Sequence, residues 1–500
     1  MSKYILAIDQ STQNTKAFLF DQRGHLVAKT SKAHQQLINE KGWISHNLEE
    51  IYEHLIDVVR ELMLITQIDT RDIVAMGISN QRETAAAWSR ATGRPLHYAL
   101  VWQCARAAEL CEDIREEYGT AIRDKTGMHL SPYFSAAKFA WMHRHIEEVQ
   151  TAAAQQDLCF GTIDSWLLFR LTGGTEYRTE VSNASRTQLL NIQTLAWDAE
   201  LCDWFNIPMN ALPHVEESNA LFGYTDIEGV LKQKIPIYTM LGDSQSALFG
   251  QGCREKGTVK ATIGTGSSVM MNIGQELVID PHGLLTSVAW TMNGITHYVL
   301  EGNINYAGAV IRWLKEDMQL VEDSAETQWL AKAAFPGDTT YLVPAFTGLG
   351  APYWEDQAKA ILCGMSRMTG RAEVVKASLD SIAYQIEDIL DCIHQRVGLP
   401  KTALKVDGGV TSNEYLMQFQ SNISRVDVHV PNVNELSALG AAYSAGIAAG
   451  LYPHSMKGML HYTTFQQAIS EEERQVLLNG WHEAVQLIHR PITPTLVSLQ

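Results

Sequence analysis

Tyr4-Ile5-Leu6-Ala7-Ile8-Asp9-Gln10-Ser11-Thr12-Gln13-Asn14-Thr15-Lys16-Ala17-Phe18-Leu19-Phe20 is the stretch on which the reading of this chain turns. It reads as a short apolar strand ending on Asp9, a polar turn from Gln10 to Lys16, and a second apolar strand from Ala17 to Phe20. Two β-rich runs joined by a polar turn read as a hairpin. A carboxylate where a strand ends can hold a cation, and the hydroxyls and backbone N–H groups of such a turn can surround phosphate oxygens. An ordinary surface hairpin has the same pattern. A second device of this kind, Leu404-Lys405-Val406-Asp407-Gly408-Gly409 followed by Asn413, favours the functional reading.

Helix and strand signals alternate outward from that hairpin. Glu49 to Met63 places Ile51, Leu55, Val58, Val59 and Leu62 on one helical face. Ile73 to Ile78 is a buried-strand run that leads into the polar cluster Ser79 to Thr84, and open α/β sheets bind ligands outside the carboxyl ends of strands. Val101-Trp102-Gln103 opens a charged helix spanning Arg106 to Glu117. Pro132 to Ser135 is a loop entering a helix at Lys138 to Met142. Ile237 to Leu241 is a strand ending at Gly242-Asp243-Ser244, where small residues start a helix; Asp243 suits a helix N-cap and a cleft-facing carboxylate alike. A boundary near Gly250 to Gly257 divides the chain into units 1–250 and 251–500.

The second unit restarts the pattern. Thr258 to Thr262 is a strand, Gly264-Thr265-Gly266-Ser267-Ser268 a tight turn, and Val269 to Ile273 a strand. Glycines let backbone amides approach a phosphate, although Gly-x-Gly alone reads equally as a hairpin turn. Gly308 lies in an apolar helix reaching Trp313, and Glu373 to Val397 is a long helix. A helix from Asn413 to Ile423 follows the Asp407 turn. Leu436 to Ala449 is a helix whose Ala and Gly residues allow close packing on a neighbour. The polar tail after Pro453 is expected to carry no strong element.

Composition narrows the function. At 500 residues, the chain calls for at least two cores. It is 46% apolar with 19% charged residues, as expected for a globular protein. Its net charge of −17 opposes nucleic-acid binding and requires any phosphate to be held locally, by metal and backbone donors. No apolar run is long enough for a membrane span, and Met1 to Tyr4 does not read as a secretion segment. The seven cysteines include no Cys-x-x-Cys pair, so reduced thiols and a cytoplasmic location are expected.

Two α/β halves facing each other across a cleft would bring the Asp9, Gly264 and Gly409 turns around one nucleotide, and they resemble the actin-like (ribonuclease H-like) ATPase fold. Two long patterns make the resemblance specific. One runs from Tyr133-Phe134-Ser135-Ala136-Ala137-Lys138 to His145. The other runs from Ala360 through Gly364 and Glu373-Val374 to Asp380. Together with Asn80-Gln81-Arg82-Glu83-Thr84, Val101-Trp102-Gln103-Cys104, Asn183-Ala184-Ser185-Arg186-Thr187 and Phe346 to Trp354, they are similar to the FGGY carbohydrate kinases, and within them to the glycerol kinases, over about Tyr4 to Gly450.

The resemblance implies an MgATP-dependent kinase that phosphorylates a hydroxyl of a small sugar or polyol, with Asp243 as catalytic base and Asp9 beside Mg²⁺. It implies an acceptor pocket of Arg82, Glu83, Trp102, Tyr133 and Asp243. It places Thr12, Gln13, Asn14, Lys16, Gly264, Thr265, Gly308, Arg312, Gly409 and Asn413 around the nucleotide. The chemistry is coherent: Arg82 donates and Glu83 accepts, as recognition of vicinal hydroxyls requires, and hydrogen bonds to charged groups contribute roughly 1.5–3 kcal/mol each.

The departures bear on specificity. Ser244 and Ser268 stand where glycerol kinases carry Gln and Phe, which suggests an acceptor larger or more hydroxylated than glycerol, such as a four- to six-carbon polyol or ketose. Ser11, Gln13 and Lys16 replace Gly, Thr and Arg, and Arg312 replaces Gln, so the nucleotide contacts differ in detail. Glycerol phosphorylation itself is the nearest alternative. A non-catalytic ATP or sugar sensor on the same fold is another, opposed by the presence of Asp9, Arg82, Glu83, Trp102 and Asp243 together. A homo-oligomer is compatible with either reading.

Overall fold

The computed structural model describes residues 2–355, 357–454 and 460–489. Two sheets carry the architecture. The first contains β1 (Tyr4–Gln10), β2 (Asn14–Asp21), β3 (Leu26–Ala33), β4 (Ile73–Asn80), β5 (Gly223–Thr225) and β6 (Ile235–Gly242), in the order β5-β6-β4-β1-β2-β3. The second contains β7 (Val259–Ile263), β8 (Ser267–Gly274), β9 (Leu285–Met292), β10 (Ile295–Ile304), β11 (Leu404–Asp407), β12 (Val428–Pro431) and β13 (Tyr462–Phe465), in the order β9-β10-β8-β7-β11-β12-β13.

The repeat expected from sequence is visible in the pairing. In the first sheet β1, β2 and β3 form an antiparallel meander, with β4 and then β6 parallel beside β1. In the second, β7, β8 and β10 form the antiparallel part, with β11 and then β12 parallel beside β7. The turn after β1 and the turn after β7 are therefore equivalent corners of two similar sheets.

The hairpin forms as read: Asp9 faces Lys16 across β1–β2 and Ser79 across β1–β4. Helix α1 (Leu48–Thr66) buries Ile51, Leu55, Val58, Val59 and Leu62 on one face, capped at its start by the Asn47 side chain.

Three local readings need correction. The charged helix α2 (Ala108–Thr126) starts well after Val101, because Trp102 is drawn across to Thr12, its indole N–H donating at 2.9 Å. Helix α3 (Ser135–His145) starts as expected. Asp243 is the first residue of α4 (Asp243–Gly250); its N-cap is Gly242, so the carboxylate is not used as a cap. Ser267 and Ser268 already belong to β8, which leaves Gly264–Gly266 as the turn.

Farther on, α5 (Gly308–Glu316), α6 (Arg371–Val397), α7 (Glu414–Ser424) and α8 (Leu436–Ala448) occupy the expected segments. The tail is not featureless. Besides β13 it carries α9 (Glu471–Gln486), whose Trp481 is buried, stacks on Tyr384 at 5.2 Å and donates to Asp388 at 2.7 Å. Ser470 and Glu473 form a capping box there, a signature present in the sequence.

Helix α8 joins the halves. Although it follows the second sheet's strands β11 and β12, it packs on β1, β4 and β6 of the first sheet and on α4. Small residues make this possible. A Cβ on Gly440 would lie 1.8 Å from the Ser246 carbonyl oxygen, one on Gly250 2.3 Å from that of Leu436, and one on Gly77 2.3 Å from that of Ala441. All three clashes are with backbone, which cannot step aside as a side chain does. Gly440→Ala is expected to lower stability by about 2 kcal/mol or more, measured as the shift of the urea unfolding midpoint. An unchanged midpoint would show that α8 and α4 can separate freely.

Candidate active site

The carboxyl ends of β1, β4 and β6 converge on one cleft. Asp9 lies near the end of β1, only 8% exposed, and its Oδ1 has no hydrogen-bond partner. Burial pushes its carboxyl up to about 7, with Lys16 opposing and the nearby Asp243 reinforcing the rise. A buried, orphaned carboxylate oxygen beside a second carboxylate fits a hard dication, which would supply the missing partner.

Arg82 and Glu83 follow β4. Glu83 holds a left-handed backbone (φ 59°), an uncommon conformation for a non-glycine residue that occurs where surroundings enforce it. The enforcement is a cluster of four buried charges. Arg82 places Nη1 and Nη2 on the two carboxylate oxygens of Glu301, at 3.1 and 3.0 Å, while Arg186 reaches Glu301 Oε2 at 3.0 Å and Glu83 Oε1 at 2.5 Å. Burial alone would raise the Glu301 carboxyl, but the two guanidiniums outweigh it and hold the group well below the usual carboxylate range. With both Nη atoms committed, Arg82 turns Nε to Asp243 Oδ1 at 3.3 Å.

Gly242 makes that approach possible, since a Cβ there would lie 2.9 Å from Arg82 Cγ. Asp243 Oδ1 also accepts the Ser244 N–H at 2.6 Å. Both contacts fall on Oδ1, leaving Oδ2 to accept a proton on a side chain that is 36% exposed.

Ser268 is drawn into the same group: from β8 it donates to Glu301 Oε1 at 2.9 Å. Trp102 and Tyr133 form an aromatic wall, rings 5.5 Å apart. Behind it lies Lys138, fully buried on α3, whose Nζ donates to the carbonyls of Pro132 (2.7 Å), Tyr133 and Phe134 (3.2 Å). Sequence reading quoted Lys138 and Arg186 only as parts of family patterns and missed Glu301 and Gln245, whose Oε1 accepts from Arg82 at 3.3 Å. A charged residue in the apolar run Tyr298-Val299-Leu300-Glu301 was the available signal for Glu301.

The residues expected around a nucleotide fall into two groups. On the first turn, the Asn14 carbonyl accepts from Ser11, the carbonyl of the exposed Gln13 accepts from His34, and Thr12 holds Trp102. Lys16 is paired with Glu435, just before α8, at 3.0 Å. On the second sheet's side, Gly308, Arg312, Gly409 and Asn413 line one cavity of about 440 Å³, joined by Gln328, whose Oε1 lacks a partner. Gly264 abuts this group: its carbonyl accepts from the Gly308 N–H at 2.9 Å, where a Cβ on Gly308 would be 2.4 Å away. The Thr265 carbonyl accepts from Ala307 and Ala309. Asn413 caps α7 and donates to Thr327, so both ends of its side chain are engaged.

Two outcomes are expected. Glu301→Gln, which keeps the shape and halves the charge compensation of two buried guanidiniums, lowers kcat/KM for the acceptor by about tenfold or more while the nucleotide KM holds. Equal loss in both would show that Glu301 serves the fold alone. Lys138 donates three hydrogen bonds only as an ammonium, and burial pulls its pKa down to about 7 against the attraction of Glu83. The acceptor KM therefore rises as pH passes upward through about 7, and this rise is lost in Lys138→Met.

Comparison with known proteins accords with this geometry. The model of the FGGY family of carbohydrate kinases, N-terminal domain, matches residues 4–250, and that of its C-terminal domain matches residues 259–449. A glycerol kinase of Brevibacillus brevis is 41% identical over 488 residues, 97% of this chain and 98% of that one. Glycerol kinase 1 of Thermotoga maritima is 42% identical over 486 residues, covering 96% and 99%. The crystal structure of Plasmodium falciparum glycerol kinase with ADP superposes with a TM-score of 0.92 at 33% identity, covering 98% of this chain and 99% of that one. A xylulose kinase from Lactobacillus acidophilus, 22% identical with a TM-score of 0.87, shares the fold. With both domain models matched and the two-sheet cleft in place, this chain belongs to the FGGY family of carbohydrate kinases, ATP-dependent phosphotransferases with an alcohol group as acceptor.

Proposed function

We propose that this kinase phosphorylates a polyol or ketose of four to six carbons, with Asp243 as base. The observation that carries the reading is the half-buried Ser268 hydroxyl, anchored on the buried Glu301 carboxylate that Arg82 also holds. The Ser268 hydroxyl puts a polar atom where an apolar side chain would narrow the site, and its oxygen, with the proton committed to Glu301, can accept from a further hydroxyl. The 41%-identical glycerol kinase supports glycerol as the second reading.

In the proposed reaction, residues 1–250 hold most of the acceptor site and residues 251–500 the nucleotide, with Glu301 crossing over. Arg82 and Glu83 orient vicinal hydroxyls, and Trp102 covers the carbon chain. As the acceptor oxygen attacks the γ-phosphorus of ATP, its proton passes to Asp243 Oδ2. The new O–P bond forms as the bond to the β-phosphate's bridging oxygen breaks, and ADP leaves with that electron pair. Asp9 would hold Mg²⁺, which when bound supplies positive charge to the phosphates. The Gly264–Gly266 turn and the Gly308 N-terminal turn present backbone to the phosphates without Cβ obstruction. Its seven cysteines are free thiols, and we place the enzyme in the cytoplasm.

ADP release with MgATP, measured against glycerol, erythritol, pentitols, hexitols and ketoses, tests the assignment. Turnover on one longer acceptor is expected to exceed that on glycerol and to fall by about a thousandfold or more in Asp243→Asn. Preference for glycerol would overturn the larger pocket and leave the kinase. Undiminished turnover in Asp243→Asn would overturn the base.

A further inference from the structure

A cavity larger than the one lined by Gly308 and Gly409 lies apart from the cleft. It has a volume of about 820 Å³ and lies at the opposite end of the helix that begins with Asp243. Eight residues of α4 span about 12 Å, from Asp243 in the cleft to Phe249 and Gln251 at this cavity. Its walls come from both halves: α4 and α8, which cover the first sheet, and β9, β10, β11 and β13 of the second.

The lining is aromatic with two unneutralised cations. Trp290 meets Phe249 edge-on at 5.3 Å and stacks on His297 at 5.7 Å. The Arg254 guanidinium lies 4.8 Å over the Phe249 ring and donates to the His454 carbonyl at 2.5 Å. Lys405 Nζ donates to the Gln251 carbonyl at 2.6 Å and stands 5.8 Å from the Tyr462 ring. Neither cation has a carboxylate within ion-pair distance among the described residues. Glu255, the carboxylate on the rim, is exposed and pairs with neither. In a chain of net charge −17, two such cations over an aromatic floor are conspicuous. Burial also depresses the Arg254 guanidinium with no anion opposing it.

The cavity wall is wired to the second sheet's turn. Gln251 is fully buried, its Nε2 donates to the Asp407 carboxylate, and its Oε1 has no partner. Asp407 ends β11 and is followed by Gly408-Gly409, of which Gly409 lines the 440 Å³ cavity. An anion that draws the Lys405 ammonium toward it would pull on its hydrogen bond to the Gln251 carbonyl, and the Gln251 side chain would pass that shift to Asp407.

We propose that this cavity is an effector site for a small organic anion bearing a planar apolar group, held by Arg254 and Lys405 over Trp290 and Phe249, and that its occupancy alters nucleotide affinity through Gln251 and Asp407. The second clause rests on the nucleotide assignment above; the first does not.

Phenyl phosphate is the probe. Calorimetric titration into the full chain, held saturated with ADP to fill the cleft, is expected to show saturable binding, weakened about tenfold or more in Arg254→Met/Lys405→Met. Should that double variant fail to fold, Arg254→Gln alone gives the same comparison. ADP affinity, measured with and without the probe, is expected to shift about threefold or more in the wild-type chain and not in the variant. Absent or non-saturable binding, or binding that the variant leaves untouched, overturns the site. Saturable, variant-sensitive binding with ADP affinity unmoved overturns the transmission. ADP binding and basal turnover in the variant without probe report separately on the kinase assignment.

Discussion

The bidentate ion pair between Arg82 and Glu301 is the contact on which the site depends. It joins the end of a first-sheet strand to the middle of a second-sheet strand, with both side chains buried. Two charges withdrawn from water are tolerated only when geometry and further hydrogen bonds compensate them. Here Arg186, Ser268, Gln245 and Glu83 supply that compensation, so the cluster balances two guanidiniums with two carboxylates. Removing one partner from such a set costs about 3–5 kcal/mol. The pair also fixes which nitrogen of Arg82 remains for Asp243. The direction of the Asp243 carboxylate is therefore set by an ion pair that crosses the domain junction.

The nucleotide side uses a different economy of contact. Gly266, Gly308 and Gly408 bring backbone against backbone, with distances that exclude a Cβ. This suits a chain with far more carboxylates than cations, because N–H groups attract phosphate without adding side-chain charge. Lys16 illustrates the limit: it is balanced by Glu435, which Lys29 also contacts, so its charge is shared before any phosphate arrives.

Much of the architecture was legible in linear order. The Asp9 hairpin, the Ile73 strand, the α1 stripe and the Ala/Gly helix at 436–448 are local patterns, and local hydrophobic period and turn chemistry suffice to place them. What failed was also local in cause. For Asp243 the weaker of two sequence readings, a helix cap, fell away because Gly242 takes that position. Trp481 and its helix were overlooked because the apolar stripe is narrow and the flanking residues are polar.

By itself, the sequence determined the two restarting α/β halves, the strand-end carboxylates Asp9 and Asp243, the Arg82–Glu83 pair and the glycine turns, since each is written in adjacent residues whose spacing carries the chemistry. Only the tertiary structure decided that Glu301, 219 residues beyond Arg82, holds its guanidinium, that Ser268 faces a carboxylate, and that a helix from late in the chain seals the first sheet. Those contacts arise from desolvation and close packing between segments far apart in the chain, and neither leaves a periodic trace along it.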